Sequence, residues 1–176
     1  PKSAFSLDDE EFDDYHLNED IDENEKVIKL EDLKKLDESV TIFTASLEFT
    51  KRSGQEQITS PASDVLLQEK RYIAIGRNII LSIKPHPTKL GYGIIVWKRT
   101  LRQLLKLSFS RENPAKISLH VKGYPNTLSY ITSKASHDIQ SPSFSDSYII
   151  QQSKEMIKVI QDNISLLKQQ QHQKQQ

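Results

Sequence analysis

A mainly β domain with one C-terminal helix is the class this sequence predicts. Three observations carry the prediction. Residues 40–133 hold about seven short runs rich in β-branched and aromatic residues, several of them alternating apolar with polar. Gly, Pro and Asn punctuate these runs. One long segment, 147–170, repeats apolar residues at three- and four-residue spacing. About seven antiparallel strands with little helix fold over into a sandwich or partly open barrel, and one apolar helix face is a suitable plug for an end.

The chain opens with LDDEEFDDYHLNEDIDENEK (7–26), acid with only sparse Phe12 and Tyr15. Such a run buries too little apolar area to offset its ordering entropy and reads as disordered. VIKLEDLKKLDES (27–39) spaces Val27, Leu30 and Leu33 for a short helix, or serves as an extended linker. Strands follow at 40–49 and 65–76, separated by a loop holding Gly54 and Pro61. A Gly76-Arg77-Asn78 turn leads into NIILSIKP (78–85), which suits a hairpin. Pro85 and Pro87 end that strand because proline lacks an amide donor, and Gly91 and Gly93 permit the turn that restarts the next. His86, between the prolines, reads as a turn residue.

YGIIVWKRTLRQLLKLSFS (92–110) holds two strands with a break near Lys98 to Arg102, although TLRQLLKL also admits a helix. KISLHVKGY (116–124) alternates cleanly, with Ile117, Leu119 and Val121 on one face. NTLSYITS (126–133) completes the set, and 134–146 reads as a polar loop. In the helix, Ile149, Ser153, Met156, Ile157, Ile160, Ile164 and Leu167 share one face, with Ser145 or Asp146 as N-cap. The Gln-rich end, 169–176, is low in complexity and expected to fray. The organisation is thus an acidic, largely disordered arm (1–38), a folded domain (39–168) and a disordered tail (169–176). Because the sequence begins at Pro1 rather than a methionine, it reads as a segment of a longer protein.

Charge sharpens that division. The formal net charge is zero. Residues 1–38 hold 15 acidic against 5 basic side chains, which leaves 9 acidic and 19 basic for the rest. An arm of −10 therefore precedes a body of +10, an asymmetry that points to an acidic tail ahead of an anion-attracting surface. There are no cysteines, which excludes disulfides, thiolate catalysis and cysteine-ligated metal. No run approaches the ~18 apolar residues of a membrane-spanning helix.

No catalytic motif is present. HExxH, Gly-x-Ser-x-Gly and the phosphate-cradling Gly-x-x-x-x-Gly-Lys-Ser/Thr are all missing from the sequence. The five histidines, His16, His86, His120, His137 and His172, are scattered, and the acids concentrate in the arm rather than in a structured cleft. A non-catalytic binding module without cofactor or metal is therefore expected.

Its candidate anion- or lipid-binding residues are Lys51 and Arg52, Lys70 and Arg71, and Lys98, Arg99 and Arg102. Phosphate or carboxylate recognition needs such donors converging on one place. Even without convergence, a body of +10 is drawn weakly to anionic membrane, at ~1 kcal/mol per well-placed charge. Aromatic residues beside the basic ones, Tyr72, Trp97 and Phe109, permit a nucleic-acid stacking platform, but Trp97 among isoleucines reads as core and nucleic acid is not expected.

The acidic string Asp8, Asp9, Glu10, Glu11, Phe12, Asp13, Asp14, Tyr15 is a candidate intramolecular or partner-binding motif. Tethering gives it a high effective concentration at the basic body, so it is expected to compete with anionic partners. Deleting residues 1–38 would then strengthen binding to anionic vesicles or peptides.

The order of strands followed by one amphipathic helix resembles the pleckstrin-homology (PH) superfold, two near-orthogonal sheets capped by a C-terminal helix. Many PH domains grip phosphoinositide headgroups from the first hairpin, and some PH-like domains, such as that of the transcription factor TFIIH, bind acidic strings. NIILSIKPHPTKLGYGIIVW (78–97), with Leu101, Leu104 and KISLHVK (116–122) in similar order, also resembles a C-terminal region of the family of C-type lectin domain family 16 member A, Ema in flies. The resemblance covers roughly residues 65–132. It implies scaffold work with protein partners in endosome–lysosome trafficking and autophagy, from the cytoplasm or peripherally on endosomal and lysosomal membranes. It places no family functional residue on this chain. The two alternatives are a phosphoinositide-binding PH domain of a signalling protein and a PH-like domain binding acidic peptides in transcription or repair.

Overall fold

The computed structural model describes residues 27–51, 65–124 and 142–175. The acidic string at 8–15, Arg52 and the expected strand at 126–133 lie outside them. The described residues form eight strands and two α-helices: β1 (Val27–Lys29), α1 (Leu30–Leu36), β2 (Thr41–Lys51), β3 (Val65–Ile75), β4 (Ile80–Pro85), β5 (Tyr92–Arg99), β6 (Leu104–Phe109), β7 (Lys116–Lys122), β8 (Ser143–Ile149) and α2 (Ser153–Lys174). All eight strands belong to one open antiparallel sheet in the order β1-β5-β4-β3-β2-β8-β7-β6.

Eight strands stand where about seven were expected, and the gain and the changes have physical causes. Residues 27–36 were assigned by charge to the arm. Val27–Lys29 instead pairs with Tyr92–Ile94, and Leu33 of α1 is buried against Val40, Ala74, Leu81 and Ile83 on the outer face of the sheet. Three apolar side chains in a charged stretch suffice because the sheet offers them a waiting apolar surface.

At the other end, residues 143–146 were expected in a loop and 147–149 in the helix, but all seven residues of β8 are strand. The helix starts six residues later than its periodicity suggested, and its N-cap is Gln152, not Ser145 or Asp146. It also runs through the Gln-rich segment to Lys174. The break within 92–110 is a short 3-10 turn, Leu101–Gln103, closed by a Thr100/Gln103 capping box.

The sheet is strongly curled. β5 and β8 are four strand positions apart, roughly 19 Å in a flat sheet. Yet Trp97 Nε1 on β5 donates to Asp146 Oδ2 on β8 at 3.0 Å, and the rings of Trp97 and Phe144 meet edge to face at 5.9 Å. The fold-over is placed by β2, which pairs with β3 along eleven residues but with β8 only through Ser46–Glu48. Inside the curl lies the main core: Phe43, Ile73, Ile75, Ile80 and Trp97 from one half, Ile117, Leu119, Val121 and Tyr148 from the other. Met156, Ile160 and Ile164 of α2, on the face the spacing predicts, pack against it.

The helix therefore lies over one end of the curl. Asn163 Nδ2 donates to Gly76 O at 2.7 Å, in the β3–β4 turn. Gly76 is required there, because a Cβ would sit 2.7 Å from Ile79 and 2.8 Å from Asp37 Oδ2. Asp37 closes the same corner, accepting from Ser39 N at 2.9 Å and Arg77 N at 3.1 Å. We call this the helix end. At the opposite end Lys51 pairs with Val65 and Pro85 with Gly93, so two connections, 52–64 and 86–91, leave from one side. We call this the loop rim.

Candidate functional site: a polar belt on the inner face

Strand alternation sends neighbouring side chains to opposite faces, and it divides the basic candidates. Lys70 is exposed on the outer face, its Nζ 5.3 Å from the centre of the Tyr72 ring. Arg71, one residue on, is inside and buried. Lys98 is exposed, while Arg99 is 2% exposed and faces inward.

Arg99 is a staple. It donates from Nε to Lys122 O at 2.7 Å and from Nη2 to Tyr124 O at 3.0 Å, and stands 5.6 Å from the Phe144 ring centre. It thereby ties the end of β5 to the end of β7. Burial pushes its pKa down to about 10, which leaves it charged at neutral pH. Arg102 is also lowered by burial and meets the Gln171 side-chain oxygen of α2, at 2.9 Å from Nη2 when that amide is oriented to accept. Lys51 ends β2 at the loop rim. Thus Arg71 is brought to the inner face, Arg99 and Arg102 serve the closure of the fold, and Lys70 and Lys98 stand on the outer surface.

Around Arg71 the inner face changes character. Along β3 it runs Ile75, Ile73, Arg71, Glu69, and along β4 Ile80, Ser82, Lys84: apolar under the helix and polar toward the loop rim. Arg71 Nη2 lies 3.1 Å from Glu69 Oε2, and Lys84 Nζ 3.1 Å from Glu69 Oε1. Tyr148 OH donates to Asp146 Oδ2 at 2.9 Å and lies 3.0 Å from Ser82 Oγ, so Asp146 accepts from both Tyr148 and Trp97. These residues form a belt across β3, β4, β5 and β8.

Arg71 Nε and Nη1 are buried and meet no acceptor. A buried donor without a partner costs about 1–3 kcal/mol, which makes Arg71 the one belt residue whose position is not explained by the contacts around it.

Two groups of the belt have displaced pKa values. Burial would raise the Glu69 pKa, but hydrogen bonding from Lys84 and the charge of Arg71 outweigh it and leave the carboxyl below its ordinary value. Burial, reinforced by the Asp146 charge, raises Tyr148 well above the ordinary phenol value. Glu69 stays ionised and Tyr148 neutral, so neither exchanges a proton near neutral pH.

His120 lies on the outer face between Ser108 Oγ, 2.9 Å from Nε2, and Ser145 Oγ at Nδ1. No carboxylate orients it in these contacts. His86 is a turn residue, as its setting between prolines suggested: its Nδ1 accepts from Thr88 N at 3.1 Å and Lys89 N at 2.9 Å. Among the described residues, no group of three or more His, Cys, Asp or Glu could hold a metal ion, and no helix is long and apolar enough to cross a membrane.

Sequence reasoning found Arg71 but missed Glu69, Ser82, Lys84, Asp146 and Tyr148. A signal existed for Lys84, since Ile80, Ser82 and Lys84 share one parity in NIILSIKP. For Asp146 and Tyr148 the signal was the alternation of SFSDSYI, masked by its serines and by the acid in its inward set. Compared with known proteins, the chain matches no protein-family model and no curated protein.

Proposed function

We propose that this chain is a PH-like, non-catalytic binding module of an endosomal membrane-trafficking and autophagy scaffold. The observation that carries the PH-like part is topological. A four-strand meander, β2–β5, and a three-strand meander, β6–β8, are joined through β2 and β8, and the C-terminal helix packs over one end. That is the arrangement expected of the PH superfold, with β1 and α1 as additions on one edge and the outer face. The binding part is supported by a belt in which Glu69 is held ionised and Tyr148 neutral. The trafficking role rests on the resemblance carried by residues 78–97.

The reading is tested by tagging the protein in cells and imaging it with endosomal and lysosomal markers. Peripheral endosomal signal that washes off with salt is expected; a nuclear signal overturns the trafficking role. A second reading, a phosphoinositide-binding module, is favoured by the unpartnered nitrogens of Arg71 beside Lys84. Vesicle flotation separates the two. If the second reading holds, phosphoinositide vesicles lift the protein and Arg71→Gln abolishes that lift. Equal flotation of the two forms, or none, leaves the first.

A further inference from the structure

His120 and His86 are held by opposite kinds of partner. His120 lies between two hydroxyls, Ser108 Oγ at 2.9 Å from Nε2 and Ser145 Oγ at Nδ1. A hydroxyl both donates and accepts, so these two serve a neutral or a protonated ring equally. His86 has no such freedom. Its Nδ1 accepts from Thr88 N at 3.1 Å and Lys89 N at 2.9 Å, with Thr88 Oγ1 3.4 Å from the same atom. Backbone N–H groups only donate, so both bonds need a lone pair on Nδ1. That fixes the ring as the neutral tautomer with its proton on Nε2. The turn held in this way holds something else. His86 N donates to Tyr92 O at 3.0 Å and Tyr92 N to Lys89 O at 3.3 Å, which closes the β4–β5 turn. On its far side Leu30 N donates to Gly91 O at 3.0 Å, and Tyr92 pairs with Lys29. The start of α1 is therefore anchored on this turn. Its other end is anchored separately by Asp37, whose N donates to Leu33 O and whose carboxylate accepts from Ser39 N and Arg77 N.

We propose that His86 is a proton-sensitive clasp: the neutral ring holds the β4–β5 turn and, through it, the start of α1, and protonation releases both. Histidine is the side chain that gains its proton between roughly pH 8 and pH 5. A proton on Nδ1 turns the acceptor into a donor, so Thr88 N and Lys89 N lose their partner and the exposed turn exchanges these bonds for water. The charged and titratable groups on the surrounding elements are Lys84 on β4, Lys89 in the turn, Tyr92 on β5, and Lys29 and Glu31 where β1 meets α1. Lys84 Nζ is 3.1 Å from Glu69 Oε1, Lys29 Nζ 3.7 Å from Glu31 Oε2, and Lys89 Nζ 5.7 Å from the Tyr92 ring centre. Both carboxylates thus face lysine, and the switch rests on the two amides. Because Asp37 keeps the far end of α1, release loosens β1 and the first turn of the helix while the sheet and its core stay folded. The clasp stands on the hydrogen bonds of the turn and not on the PH-like or trafficking reading.

The experiment is a pH titration of the full chain by NMR, from about pH 8 to about pH 5. The amide protons of Thr88 and Lys89 should move upfield in step with the His86 ring resonances, as amides do on losing an acceptor. Hydrogen exchange at the Leu30 amide, corrected for the intrinsic pH dependence of exchange, should lose roughly tenfold in protection at the acid end, the net worth of about one hydrogen bond. His86→Asn keeps a side-chain oxygen that can accept from the amides two and three residues on, but does not titrate. In that variant the protection of Leu30 should be the same at both ends of the titration, whether it is high or low. His120→Asn should leave the response of Leu30 as in wild type. The proposal is overturned if the two amides do not follow the ring, if wild-type Leu30 is equally protected at both ends, if His86→Asn still responds to pH, or if His120→Asn abolishes the response.

Discussion

The helix end and the loop rim are built from the same strands and serve different purposes. Under α2 the inner face is isoleucine, phenylalanine and tryptophan, and the corner is closed by Asp37, Gly76 and Asn163. Toward the loop rim the same strands carry Arg71, Glu69 and Lys84 inside and expose leucine and lysine outside. One strand can do both because alternation fixes only which face a residue takes, leaving composition free to change along its length. The comparison teaches that stability belongs to one end, and that the other carries polar and apolar groups the fold does not need.

Substitutions can break that comparison. Trp97→Ala should have the largest effect, about 3–5 kcal/mol from a filled core, and urea denaturation with a two-state fit would measure it. Leu33→Ala comes next, at roughly 2–4 kcal/mol. It also tests where the domain begins: removing residues 1–26 should leave the urea midpoint unchanged, whereas removal through residue 36 should lower it. A test of the acidic arm as a competitor must therefore stop at residue 26, because deletion through 38 removes a piece of the core.

Arg71→Met should be neutral or stabilising by about 1 kcal/mol, since it removes two buried donors without acceptors and leaves Glu69 paired with Lys84. A clear fall in the urea midpoint would mean that Arg71 is structural after all. Asp37→Asn should have the smallest effect, and a pH-dependent one. Hydrogen bonds from Ser39 and from the Arg77 backbone hold the Asp37 pKa below its ordinary value of 3.8. The folded value lies under the unfolded one, so its contribution is complete above the unfolded value and is lost as pH falls through the folded value. The variant should show a flatter acid limb in a plot of urea midpoint against pH, and an unchanged limb would place the acid sensitivity elsewhere.

Much of this architecture was legible in the sequence. The alternation of KISLHVK, the Gly76-Arg77-Asn78 turn and the Met156–Ile160–Ile164 stripe all appear where their patterns put them. What was not legible has a common physical cause, namely dependence on a distant partner. SFSDSYI alternates, but its inward set contains Asp146, which is acceptable inside only because Trp97 and Tyr148 donate to it. VIKLEDLKKL shows the spacing of the short helix that α1 forms, but its strand and its place in the core depend on β5 and on the outer face of β3 and β4. The candidate site suffered in the same way. A basic pair such as Lys70-Arg71 looks like one patch in sequence and is divided by the sheet. The belt that Arg71 joins is assembled from residues spread between Glu69 and Tyr148.

The three-residue seam between β2 and β8 bears on how the chain is made. It joins residues about a hundred positions apart, so loop closure across it is among the slower steps of folding. On a ribosome, β2 to β5 emerge first and can form their meander with α1 already seated on its outer surface. Their inner surface, however, must wait for β6, β7, β8 and α2, which follow them in the chain. For that interval a sheet lined with Phe43, Ile73, Ile80 and Trp97 is without its cover, and a nascent chain in that condition is a natural client for a chaperone.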